Sequence, residues 1–293
     1  MTASLLALCL PFMPLALEEV AETEFIRQEI STTSHTLQLE NINGNLEIEG
    51  YDGDVVVLEV EKIISADDAV DVKKGMEEVQ LGKEDRNDTL EIFMDVPWQQ
   101  KEVQEVKKEG KLRIGKINGW TRANGWHWNP PYDFTLHFRL KVPRDMNLCV
   151  STINRGQVNI SGVRGDIAAE NINGSIELSE VRNPSWAKTI NGQVTVVYDQ
   201  IPRQEASFAT LNGDVRVEVP SGLEAQVMPF SRHGDVYTNL PEMAVKRIQQ
   251  QRKEERDGET HYQLSNQTAL VVRNGQFSLR METMNGDIWI EER

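Results

Sequence analysis

The sequence predicts an all-β protein, a β-helix-like solenoid wound from a single chain, and three observations carry that expectation. A short phrase, Asn-Gly or polar-Gly followed by Val or Ile at every second position, recurs along the chain. Its glycines keep a nearly fixed spacing, with Gly156, Gly174, Gly192, Gly213 and Gly234 lying 18, 18, 21 and 21 residues apart. A half-step of nine residues places Gly165 between the first two. A fixed period near twenty marks a repeat architecture. Period-2 alternation gives a strand with one buried face, and Asn-Gly supplies the positive φ of a sharp corner. Asn-Gly between alternating segments is also a strong hairpin signal, so a meander or sandwich competes. A meander has no reason to hold every turn in one phase, whereas a coil does, because each corner must sit above the one below.

Taken in order, residues 1–17, MTASLLALCLPFMPLAL, are uncharged and mostly apolar and end at Glu18-Glu19, which reads as a signal-peptide core. The run is too short for a bilayer span, which needs about 20 apolar residues, so no transmembrane anchor is expected in the mature chain. The repeat domain is expected over residues 24–293, with insertions at 95–133 and 241–260. Alternation around Phe25-Ile26 and Thr36 to Leu39 leads to the first corner, Asn43-Gly44. Gly53 opens the apolar run Val55 to Leu58, expected as one solenoid turn. Ser65 as N-cap, Asp67 and Asp68 in the first turn and Gly75 as stop predict a short helix over 66–74. Strands resume at Glu78 to Gly82 and Leu90 to Met94. Phe134 to Val142, FTLHFRLKV, alternates strictly and re-enters the repeats. Their corners are Gly156, Gly165, Asn173-Gly174, Asn191-Gly192, Asn212-Gly213, Gly234 and Asn285-Gly286, read as structural. Pro241 to Gly258, rich in Lys, Arg, Glu and Gln, is expected as an exposed helix or loop.

A formal charge of −15 and a pI near 4.9 argue against nucleic-acid partners and against adsorption to anionic lipid. The two cysteines, Cys9 and Cys149, do not make a disulfide framework. Acidic residues follow the corner glycines at Asp54, Asp166, Asp214, Asp235 and Asp287. The calcium-binding nonapeptide needs tandem glycines and an Asp two beyond, so solvated turns are the better reading; no metal and no cofactor are expected. The five histidines are scattered and no nucleophile, zinc or phosphate-loop motif occurs, so no catalytic residues are assigned. A polysaccharide-active enzyme on a β-helix scaffold is the alternative.

The sharpest candidate lies in the first insertion, where Trp120, Trp126, Trp128 and Tyr132 crowd one segment. Flat aromatics on a loop can stack on sugar rings or anchor a protein partner. They can equally fold down to cover an end of the solenoid. Trp186 and Trp289 fall in repeat register and read as packing residues.

The phrase from Val142 to Val158, with Pro143, Leu148, Val150, Thr152, Asn154 and Gly156 in fixed places, followed by successive N-G-x-[VI] corners, resembles the bacterial β-strand-repeat candidate adhesins, the toast-rack family. The resemblance implies a single-stranded, right-handed β-helix in an exported or envelope-associated protein, periplasmic or at the cell surface. It brings no catalytic residues, and neither insertion maps onto it. The function expected is therefore non-enzymatic: an adhesin or scaffold that binds an envelope protein or a polysaccharide.

Overall fold

The computed structural model of the chain describes residues 20–97, 99–100, 107–108, 111–112, 121–122, 130–241, 243–256 and 259–293. The expected signal segment lies outside them. The first strands are β1 (Val20–Ile30), β2 (Thr36–Glu40), β3 (Leu46–Tyr51) and β4 (Val56–Ala66), followed by helix α1 (Ala69–Glu78), then β5 (Gln80–Arg86) and β6 (Thr89–Asp95). Two short antiparallel pairs join β7 (Gln99–Gln100) to β10 (Thr121–Arg122), and β8 (Lys107–Lys108) to β9 (Lys111–Leu112). The repeat region holds β11 (Tyr132–Pro143), β12 (Asn147–Thr152), β13 (Val158–Ser161), β14 (Asp166–Asn171), β15 (Ile176–Val181), β16 (Asn183–Lys188), β17 (Val194–Tyr198), β18 (Ala206–Ala209) and β19 (Val215–Val219). Last come β20 (Ala225–His233), β21 (Val236–Thr238), β22 (Met243–Arg256), β23 (Glu259–Val272), β24 (Phe277–Asn285) and β25 (Ile288–Glu292).

The all-β expectation holds, with two large sheets dominating. A ten-stranded sheet has the order β1-β4-β11-β3-β13-β15-β17-β19-β25-β21, and an eleven-stranded sheet the order β22-β23-β20-β24-β18-β16-β14-β12-β2-β6-β5. From β12 to β19 the chain changes sheet at every corner; β12 and β13 pair in parallel with β2 and β3, and from β14 on each strand pairs in parallel with the strand two before it. A period of 18 to 21 residues thus encodes two short strands and two corners. Both sheets are mixed rather than wholly parallel: at one end β4 runs antiparallel to both β1 and β11, as do β5 against β6 and β22 against β23.

Alternation produces the core. Val158, Ile176, Val194, Val215 and Ile288 stand in register across five parallel strands, and Ile160, Leu178, Val196, Val217 and Ile290 form the next inward row. All ten are buried. Leu148, Val150, Ile167, Ala169, Phe208, Leu279 and Met281 of the other sheet belong to the same core cluster. Each fully buried aliphatic side chain contributes about 1.5–3 kcal/mol, so the rows, rather than the backbone ladder, supply the drive to stack.

Three expectations are corrected. Val55 to Leu58 does not make a solenoid turn but opens β4, an 11-residue strand paired antiparallel with β1 and β11. The helix starts later than expected, because β4 keeps both partners out to Ala66 and that pairing outweighs a Ser65 cap. Asp68 is the N-cap, its Oδ1 accepting the N–H groups of Val70 and Asp71 at 2.9 Å each. Gly75 lies inside the helix and is buried, because α1 sits so close that a Cβ there would meet Ile64 Cγ2 at 2.5 Å and the Tyr132 ring at 2.8 Å. The segment 241–258 is mainly strand, rather than helix or loop, where it is described. Its residues 243–256 form β22, which pairs with β23 from Met243↔Val272 to Arg256↔Glu259. Backbone pairing with a downstream partner needs no apolar face, so a polar strand is satisfied there.

Candidate functional site

The corners form columns. Asn173 Nδ2 donates to Asn154 Oδ1, Asn191 to Asn173 and Asn212 to Asn191, each at 2.8 Å, and Asn285 donates to Asn212 at 2.7 Å. Arg155, with φ +57°, is an extra residue that lets Asn154 take its place in the ladder. Asn43 bridges to Asn154 through the backbone, and its Nδ2 donates to the Phe134 carbonyl at 3.0 Å. Beside this ladder the glycines stack: a Cβ at Gly174 would lie 1.9 Å from the Gly156 carbonyl oxygen, and at Gly192 2.3 Å from that of Gly174. Gly44, Gly213, Gly234 and Gly286 belong to the same column, and Gly165 abuts Met146 at a different corner. Gly165 apart, the predicted repeat-corner residues are thus brought together as one spine along the molecule.

Sequence reasoning missed a third column. Thr189 Oγ1 donates to the Gly174 carbonyl at 2.7 Å, Thr210 to Gly192 at 2.8 Å, Thr283 to Gly213 at 2.8 Å and Ser231 to Gly286 at 2.8 Å. Asn171 does the same for Gly156 at 3.0 Å. The signal was present as a hydroxyl or amide three residues before Gly174, Gly192, Gly213, Gly234 and Gly286. The acidic residues after the glycines also have work to do: Asp214 Oδ1 accepts the Asp287 N–H and Asp287 Oδ1 accepts the Asp235 N–H, each at 2.9 Å. Among the described residues no group of three or more metal-ligating side chains occurs.

The outward face of the ten-stranded sheet carries the surface features. One row of cross-strand partners runs Arg27, Glu59, Arg139, Glu47, Asn159, Glu177, Thr195, Arg216, Trp289, Tyr237, from one sheet edge to the other. Its first part lines an open groove of about 660 Å³ with Glu49, Lys141, Ser161 and Ser179. Ion pairs join Arg139 to Glu47 at 3.0 Å, Arg27 to Glu59 at 3.4 Å and Lys141 to Glu49 at 3.5 Å. A second hollow of about 230 Å³ adjoins it, sharing Arg27, Glu59 and Arg139 and adding exposed Phe25 and His137. His137 Nδ1 accepts the Asn45 N–H at 3.2 Å, which leaves Nε2 as the other site on that ring. At the far end of the row, Tyr237 stacks on Trp289 with ring centroids 4.1 Å apart, and the Arg216 guanidinium sits 5.1 Å from the Trp289 ring. Trp289 packs as expected, although its Nε1 is buried with no hydrogen-bond partner.

Of the aromatic cluster, Trp120, Trp126 and Trp128 lie outside the described residues. Tyr132 is 3 % exposed at the start of β11, and its hydroxyl donates to Glu78 Oε2 at 2.7 Å, so it faces helix α1 rather than a ligand. Burial pushes the Tyr132 phenol well up, with the Glu78 carboxylate adding to the shift. Cys149 is a free, buried thiol on the outward side of β12, pushed well up by burial and the carboxylates of Glu40 and Glu170. Among the described residues no helix is long and apolar enough to cross a membrane.

No family model matches the chain, and no curated protein matches it. Two solved structures are similar to it. A candidate cell-adhesion protein from Clostridium sporogenes shares 11 % identity over 94 % of this chain and 100 % of its own, with a TM-score of 0.39. A candidate lipid-binding protein from Parabacteroides distasonis shares 11 % identity over 91 % of this chain and 96 % of its own, with a TM-score of 0.25. Likeness at this level decides neither fold nor activity.

Proposed function

We propose that this chain is a non-enzymatic, exported protein of the periplasm or cell surface. It acts by surface binding, as an adhesin or scaffold, on a right-handed β-helix-like frame of stacked corners. The observation that carries the reading is the open groove of about 660 Å³ on the outward face of the ten-stranded sheet. Its acids Glu47, Glu49 and Glu59 are each held by an Arg or Lys, which suits a fixed polar contact surface. Asn159, Ser161 and Ser179 extend that surface with uncharged donors and acceptors fitted to an envelope polysaccharide or protein.

Co-sedimentation with cell-wall and polysaccharide preparations tests this. The variant Arg139→Ala, Lys141→Ala, Glu177→Ala should lose binding at least about tenfold, the scale of one or two lost charged contacts. A parallel variant with Trp120, Trp126 and Trp128 as Ala separates the groove from the insertion. Binding that survives both sets, or is absent in the unmodified chain, overturns the proposal.

A further inference from the structure

The two edges of the ten-stranded sheet fit each other. At one edge β21 bonds only to β25, and at the other β1 bonds only to β4. β1 is antiparallel to β4, β4 is antiparallel to β11, and every later pairing across to β21 is parallel, so β1 and β21 point the same way.

Register makes the match specific. Ile26 of β1 and Val236 of β21 belong to one inward row, which runs through Val60, Phe138, Leu46, Val158, Ile176, Val194, Val215 and Ile288. Arg27 and Tyr237 share the outward row, and Gln28 and Thr238 share the next inward one. Displacing a second copy along the stack therefore lays an apolar residue on an apolar one, a cation on an aromatic ring and an amide on a hydroxyl.

The end at β21 is incomplete in each of these respects. Ile288 is 0 % exposed, yet Val236 in the next rung of the same row is 41 % exposed. One face of Tyr237 lies on Trp289, and the ladder Arg216, Trp289, Tyr237 stops there. The carboxylates of Asp287 and Asp235 make this end acidic and push the Tyr237 phenol up. Arg27 at the other edge is basic, 68 % exposed and, among the described residues, ion-paired with the exposed Glu59, a pair that contributes little in water. The sheets are also staggered in opposite senses. Beyond the β25/β24 rung the eleven-stranded sheet runs on through β20, β23 and β22 while the other adds only β21. Beyond the β3/β2 rung the ten-stranded sheet is the longer, with β11, β4 and β1 against β6 and β5.

We propose that β21 of one copy pairs in parallel with β1 of a second copy, with Arg27 over Tyr237, so that chains assemble head to tail. Such a contact is heterologous and stays open to further copies. It adds one strand of backbone hydrogen bonds and extends the cation–π and aromatic ladder by one member. The contact shares Arg27 with the rim of the groove, but sedimentation reads assembly with no ligand present, so its failure is distinct from a failure of the groove to bind.

Sedimentation velocity across a concentration series tests it. The unmodified chain should form species at multiples of the single-chain mass, growing with concentration. Tyr237→Thr, which removes the ring without offering Arg27 a carboxylate, and Arg27→Asp should each sediment at the single-chain mass. An equimolar mixture of the two should give a species of twice that mass and nothing larger, because each variant keeps one sound edge. An isologous β21 contact would leave Arg27→Asp assembled and the mixture unremarkable, which overturns the proposal, as does an unmodified chain that stays single at every concentration. Should circular dichroism show either variant unfolded, Tyr237→Ser and Arg27→Ser carry the same expectations.

Discussion

At a corner, the bare face of one glycine meets the carbonyl of the glycine in the adjacent rung. Gly213 shows both reasons for the residue type: its φ is +150°, and a Cβ would lie 2.2 Å from the Gly192 oxygen. Gly213→Ala is expected to cost about 2–3 kcal/mol through strain and forced separation of two rungs, read as a lower urea midpoint. Asn212→Ala, which breaks the exposed amide ladder on both sides, should cost only about 1 kcal/mol. Glu292 supplies a pH dependence. Burial pushes its carboxyl up, but the N–H of Gly222, the Arg273 guanidinium and the N–H of Leu223 outweigh this and leave it below the ordinary 4.5. A lowered acid stabilises the fold above its ordinary value and ceases to do so as pH falls through the folded value. Urea midpoints should therefore fall on acidification below about pH 4.5 less steeply in Glu292→Gln than in the parent chain. The corner asparagines and glycines were legible in the sequence because one phrase repeats. The hydroxyl column was not, because Thr, Ser and Asn alternate there and only the shared carbonyl acceptor unites them. The groove was invisible for a similar reason: Arg139 and Glu47 are 92 residues apart and become neighbours only through the β11–β3 pairing.

Elements were legible where period and punctuation agreed, as in β11 and the strands after each corner. They were misread where a distant partner decided the outcome. Ser65 looks like a cap, yet pairing of Ala66 with Val20 and Tyr132 holds it in β4. The 243–272 hairpin had a usable sign in Asp257-Gly258, which falls between the paired Arg256 and Glu259. Lys62 shows how the edge elements are tied together. It is 2 % exposed, and its Nζ reaches Glu24 at 2.6 Å, the carbonyl of Met76 in α1 at 3.2 Å and that of the C-cap residue Val79 at 3.1 Å. One side chain thus joins β4, β1 and the C-terminal end of α1. Lys62→Met keeps the volume but removes the lysine donor from the Val79 carbonyl and the cation from Glu24, while the Met76 carbonyl keeps Gln80 Nε2, so a loss of about 1–3 kcal/mol is expected in urea unfolding. Equal stability of the two proteins would mean that apolar packing alone holds α1 on the sheet.

The whole molecule combines nearest-neighbour rungs with a core cluster that reaches from Ile30 to Ile290. Independent rungs would melt from their ends, as repeat arrays can when interfaces are weak. Here the inward rows pass without a break from the antiparallel strands into the parallel ones, because Phe138 pairs with Leu46 and Leu46 with Val158. Loss of a middle rung therefore removes packing partners on both sides at once. Gly192→Ala, placed mid-stack with its Cβ 2.3 Å from the Gly174 oxygen, tests whether the two sides respond together. Native-state hydrogen exchange should show protection falling by the same factor in β3 and in β25, which lie on opposite sides of the lesion. If only the nearer rungs lose protection, the stack is a series of local units, and the single core cluster is continuous in space without being one cooperative unit.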